Sequence, residues 1–156
     1  MIQLKKVLLP TDFSDCSQEA LKYAISMSAE FGADLVVLHV INQQLLTEGL
    51  NLPRVGSFQD LETEMAKEAE RQMDAFLKEN PDLEEIRHQR LIRLGRPFLE
   101  IIGYAKDNAV DLIVIGTHGR SGIEHIIFGS TAEKVVRKAP CPVLTVKPAQ
   151  REFVVP

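Results

Sequence analysis

The run from Asp111 to Lys138, DLIVIGTHGRSGIEHIIFGSTAEKVVRK, decides how the rest of the chain is read. Asp111 to Ile115 is a short apolar run rich in β-branched residues and predicts a buried strand. Ala132 to Lys138 predicts a helix. Between them, Gly116, Gly119 and Gly129 are spaced G-x2-G-x9-G, and Ser130 and Thr131 follow at once. Glycine lets backbone N–H groups approach a bound anion with no Cβ in the way. A helix N-terminus adds unpaired N–H donors and a partial positive charge. Strand, glycine loop and helix start together point to a phosphate cradle. A tight turn would use the same glycines, and Ser130 with Glu133 fits the capping box S-x-x-E, so the Ser130 hydroxyl either caps the helix or faces a ligand. Neither G-x4-G-K-[ST] nor G-x-G-x-x-G occurs.

With 156 residues the chain is one domain by length, large enough to bury its own core. Its 45% hydrophobic and 26% charged residues are those of a soluble globular protein. A net charge of −4 gives no global basic field, so neither nucleic acid nor an anionic membrane is an expected partner. Met1 to Lys6 runs straight into a strand, so no signal peptide is expected, and no apolar run approaches the ~18 residues of a membrane span. Cys16 and Cys141 form no C-x-x-C and fit reduced thiols in a cytoplasm.

Outward from the glycine segment, Lys6 to Pro10 predicts a first strand, and Ser14 or Asp15 can cap the helix that follows. Leu21, Ala24, Ile25, Ser28 and Phe31 recur as that helix's buried stripe, and Gly32 stops it. Asp34 to Val40 is nearly all apolar, as in a strand covered on both faces. Ile41 to Gln59 reads as a long loop with room for one short helical turn. From about Phe58 to Lys78 a helix returns, with Leu61, Met65, Ala69, Met73 and Phe76 on one face, and Asn80-Pro81-Asp82 breaks it. Ile86 to Leu94 has no cleanly apolar face, which fits an exposed edge strand. Pro97 opens a third helix with Phe98, Ile101, Ile102 and Ala105 inward. Val143 to Val146 is a fifth strand. Residues 1–148 make the domain and residues 149–156 a C-terminal tail.

Strands alternating with helices imply an α/β fold, a doubly wound five-stranded parallel sheet with helices on both faces. Strand order 3-2-1-4-5 puts strands one and four side by side, and ligands bind beyond the carboxyl ends of the strands at such a switch point. Asp12 follows strand one and Gly116 ends strand four, so two separate stretches converge on one crevice.

The chain resembles the universal stress protein family over nearly its whole length. The matching pieces are Leu9 to Ser14, Leu38-His39-Val40, Gly116 to Gly119, Gly129 to Val135 and Pro140 to Leu144. The family contains members that bind ATP and members that do not. The binding members carry G-x2-G-x9-G-[ST], which this sequence matches without departure. The resemblance implies that Pro10, Thr11 and Asp12 sit at the adenine and ribose end and that Val40 lines the adenine pocket. It places Gly116, His118, Gly119 and Arg120 along the ribose and phosphates, with Gly129, Ser130 and Thr131 holding the phosphates. It implies ATP, or AMP or ADP, as ligand, and admits a Mg²⁺ or Mn²⁺ ion held through the phosphates rather than by protein ligands. It also implies a homodimer through the fifth strand.

Other residues read more plainly. Asp12 alone is equally a loop or cap residue. His39, in an apolar strand, reads as a core histidine with a hydrogen-bond partner. No base–nucleophile pair accompanies His118, so no catalytic residue is assigned. His88 and His125 have no metal-ligand spacing, and Lys134, Arg137 and Lys138 fit a solvated face at a helix C-terminus. The leading reading is a cytoplasmic nucleotide-binding regulatory protein. The rivals are a slow ATP hydrolase and a dimeric interaction scaffold whose glycine loop is structural.

Overall fold

The computed structural model describes residues 1–44, 58–118 and 129–147. Among these, Lys6–Thr11 (β1), Asp34–Asn42 (β2), His88–Gly95 (β3), Leu112–Gly116 (β4) and Val143–Val146 (β5) form one sheet in the order β3-β2-β1-β4-β5. Every pairing is parallel. The crossovers carry helices α1 (Asp15–Phe31), α2 (Phe58–Lys78), α3 (Pro97–Asp107) and α4 (Ser130–Lys138), and a 3-10 segment at Pro81–Glu85 follows α2. The expected fold and strand order are those observed.

The period of two along the strands sorts the core into two layers. Val7 and Leu9 of β1, Leu35 and Val37 of β2 and Val114 of β4 pack with Leu21 and Ala24 of α1 and Met73 and Phe76 of α2. Leu8, Val36, Leu38, Ile113 and Ile115 face the other way, onto Ile101, Tyr104 and Ala105 of α3 and Ala132 and Val135 of α4. Each fully buried Leu, Ile or Val contributes about 1.5–3 kcal/mol relative to exposure. The central strands are therefore held from both faces.

Ser14 caps α1, its side chain accepting the Ser17 N–H, and Gly32 ends it in the left-handed conformation at φ 64°. Phe31 departs from the expected stripe: it is exposed, because the chain reverses at Gly32 and Ala33 takes the core position beneath the last turn. Tyr104 is an inward residue of α3 that the expected stripe omitted. β3 is an edge strand, exposed or half-buried along most of its length. Both cysteines are free; Cys16 is buried, and burial, with the Asp111 carboxylate, pushes the half-buried Cys141 thiol up. The helical turn and loop expected after Ile41 fall mostly outside the described residues, as does the tail.

Gly116 ends β4 directly against the first turn of α1. A Cβ there would lie 2.8 Å from Cys16 Sγ and 3.0 Å from the Cys16 carbonyl oxygen. Gly116→Ala should therefore overpack the contact and lower stability by about 1–3 kcal/mol. A urea titration checks this; an unchanged midpoint would mean that the approach relaxes without cost.

Candidate functional site

The carboxyl ends of β1, β2 and β4 open on a cavity of about 210 Å³. Its apolar wall is Leu38, Val40, Pro97, Ile101 and Ile115, and its polar groups are Thr11, Asp12, Ser17, His39, Thr117, His118, Ser130 and Thr131. Of the residues singled out in the sequence, Pro10, Thr11, Asp12, Val40, Gly116, His118, Gly129, Ser130 and Thr131 all line this one cavity. Gly119 and Arg120 lie outside the described residues, so the cavity is bounded here without them.

At one end stands the start of α4. Its N-cap is Gly129, extended at φ −63° and ψ 151°, with no side-chain cap hydrogen bond among the described residues. Ser130 is the first helical residue, so of the two readings left open for its hydroxyl the structure does not bear out the capping one. The reason is a tether. Gly129 donates its N–H to the Thr117 carbonyl at 2.7 Å, which fixes Gly129 as the last extended residue. Glu133 N–H bonds back to the Gly129 carbonyl at 3.0 Å. The N–H groups of Ser130, Thr131 and Ala132 precede that bond and have no acceptor within the helix. These first-turn donors and the helix dipole thus meet at the cavity, which Ser130, Thr131 and Ala132 line, an arrangement suited to an anion.

Thr117 is fully buried and was not singled out in the sequence. Its N–H bonds to the Val146 carbonyl at 2.9 Å, and its hydroxyl lies 2.8 Å from His118 Nδ1. It ties the end of β4 to β5, to α4 and to the His118 ring. Its place between Gly116 and His118 was the available signal.

At the other end the loop after β1 is a chain of side-chain turns. Asp12 Oδ1 accepts the Ser14 N–H at 3.1 Å and the Ser17 hydroxyl at 2.7 Å. Asp12 is therefore a loop-ordering residue and a cavity residue at once. Ser17, in the first turn of α1, is a second residue missed in the sequence. His39 is half-buried and lines the cavity instead of sitting in the core; its Nδ1–H donates to the Thr11 carbonyl at 2.8 Å, since a carbonyl only accepts. Among the described residues no group of three or more His, Cys, Asp or Glu is placed to hold a metal ion. None of their helices is long and apolar enough to cross a membrane.

Residues 3–147 match the model of the universal stress protein family. The chain belongs to that family. Universal stress protein MJ0531 of Methanocaldococcus jannaschii is 36% identical over 148 residues, covering 95% of this chain and 85% of its own. The solved structure of MJ0577 matches with a TM-score of 0.81 at 30% identity, covering 97% of this chain and 100% of that one. A universal stress protein from Archaeoglobus fulgidus, solved in complex with dAMP, matches with a TM-score of 0.60 at 25% identity, covering 94% of this chain and 100% of that one. Family membership thus agrees with the resemblance carried by the sequence motifs.

Proposed function

We propose that this universal stress protein binds an adenine nucleotide, ATP or its products ADP and AMP, as a regulatory ligand in a stress response. The observation that carries the reading is the uncapped start of α4 opening on the cavity between β1 and β4. Gly129, Ser130 and Thr131 would hold the phosphates by backbone N–H and hydroxyl groups. Gly116 and His118, with Gly119 and Arg120 of the loop, would follow the ribose and phosphates. Pro10, Thr11 and Asp12 would take the adenosine end, and Val40 the base. The Archaeoglobus relative's complex with dAMP supports an adenine nucleotide in this fold. A Mg²⁺ or Mn²⁺ ion would be carried by phosphate oxygens and water.

The α4 geometry sharpens the test at Ser130. Its hydroxyl makes no cap hydrogen bond among the described residues, so Ser130→Ala should change stability by no more than about 0.5 kcal/mol. A hydrogen bond to a charged group contributes about 1.5–3 kcal/mol, so the same change should weaken ATP on the order of tenfold or more. Calorimetric titration with ATP, ADP and AMP, paired with urea unfolding, reads both. Wild-type protein that binds none of the three at about millimolar ligand overturns the proposal.

Assembly follows from β5. Among the described strands it pairs only with β4, and Val143, Leu144 and Thr145 are half-buried. An open apolar edge invites pairing, and a two-fold copy of the same strand closes it. Light scattering at about tens of micromolar, a concentration that reveals modest association, should give twice the monomer mass. The monomer mass would count against a dimer.

A further inference from the structure

Phe13 holds a backbone conformation that bulky L-residues rarely adopt, with φ 64°. Glycine occupies such positions without steric cost, whereas a side chain with a Cβ is strained there. Strain of this kind persists only where the surroundings over-determine it. Here the surroundings are two rings. Phe13 stacks on His39 with centroids 4.3 Å apart and meets Phe76 of α2 edge-on at 5.6 Å. His39 is itself anchored to the end of β1 through Thr11. The Phe13 ring packs against the core layer beneath α1 and α2 and is not among the groups that line the cavity.

The turn at Phe13 fixes its neighbours. The Phe13 N–H donates to Thr11 Oγ1 at 3.0 Å, and the next N–H, that of Ser14, donates to Asp12 Oδ1 at 3.1 Å. The two bonds lie on either side of the Phe13 Cα, so its dihedral angles set their relative direction. β1 and the first turn of α1 are anchored in the core, with Leu9 and Ser17 both buried. A relaxation of Phe13 to negative φ would therefore fall on the short turn between them and carry the Asp12 carboxylate away from its present place.

We propose that Phe13 is the positioning residue of the site's adenosine end: its ring, clamped between His39 and Phe76, holds the left-handed turn that keeps Asp12 in the cavity. This rests on the nucleotide reading of the site. The geometry separates two variants. Phe13→Ala loses the ring but keeps the Cβ penalty, whereas Phe13→Gly loses both, so glycine should restore what alanine breaks.

The test is calorimetric titration with ATP of wild type, Phe13→Ala and Phe13→Gly, after circular dichroism confirms the fold, together with amide exchange at Ser14 and Ser17. Phe13→Ala should weaken ATP on the order of tenfold and speed exchange at both amides, while Phe13→Gly stays within about threefold of wild type. In an Asp12→Ala background, Phe13→Ala should cost no further affinity, because the two act as one unit. Unchanged affinity in Phe13→Ala overturns the proposal. So does an equal loss in Phe13→Gly, which would mean that the ring acts on binding directly and not through the turn, and so does an additive loss in the Asp12→Ala background. If wild type binds no nucleotide, the functional reading falls separately. Exchange at Ser14 and Ser17 then decides whether Phe13 holds the turn: acceleration in Phe13→Ala alone supports it, and unchanged exchange overturns it.

Discussion

β1 is hydrogen-bonded to β2 on one side and to β4 on the other, and both neighbours run parallel to it. That placement depends on apolar burial from both faces, since Val7, Leu8 and Leu9 alternate between the two core layers and none is exposed to solvent. Two parallel neighbours force the chain to leave the sheet in opposite directions at the carboxyl ends of β1 and β4. The space between the departing segments is the crevice. Gly116 lets β4 end against α1, and Thr117 then fixes where α4 begins. The pairing of β1 with β4 thus places Thr11, Asp12, Thr117 and His118 at one crevice.

The two helices that start at the crevice are treated differently. α1 is closed by its own sequence: Ser14 accepts the Ser17 N–H, and Asp12 takes the Ser14 N–H and the Ser17 hydroxyl. The Ser17 N–H is thus used internally, and the Gln18 N–H bonds to the Ser14 carbonyl. α4 has glycine at its cap and, among the described residues, no side-chain cap, and its first residues line the cavity. A glycine cap forgoes only about a few tenths of a kcal/mol relative to Ser, Thr, Asp or Asn. A bound anion would supply the missing acceptors, which ties ligand binding to the stability of α4.

The sheet order was legible because the signals were local and strong. Asp34 to Val40 and Asp111 to Ile115 are apolar runs too short for helices, and Gly32 and Pro97 punctuate the helices between them. The convergence of Asp12 with Gly116 followed from that order, and Gly129 and Thr131 came from the glycine motif and the family resemblance. Less was legible where a tertiary bond decides. The pattern S-x-x-E cannot tell whether Ser130 or Gly129 is the last extended residue; the Gly129 to Thr117 bond does. Phe31 fitted a helical stripe, but the stripe does not reveal that the core beneath it is filled by Ala33. Ser17, Thr117 and His39 gained their roles from partners distant in sequence or from the crevice wall. The left-handed turn at Phe13 has no residue-level signature, since glycine and not phenylalanine announces such a turn.

In the proposed function a nucleotide bridges the start of α4 and the turn after β1. Backbone amide shifts recorded during titration with ATP test it most directly. The account predicts that Ser130, Thr131 and Ala132 shift together with Thr11, Asp12 and Val40, while amides at the far ends of the strands, such as Lys6 and Leu35, stay unchanged. Saturable shifts confined to another face of the protein, or no shift at Ser130 to Ala132 while ATP binds, would contradict it.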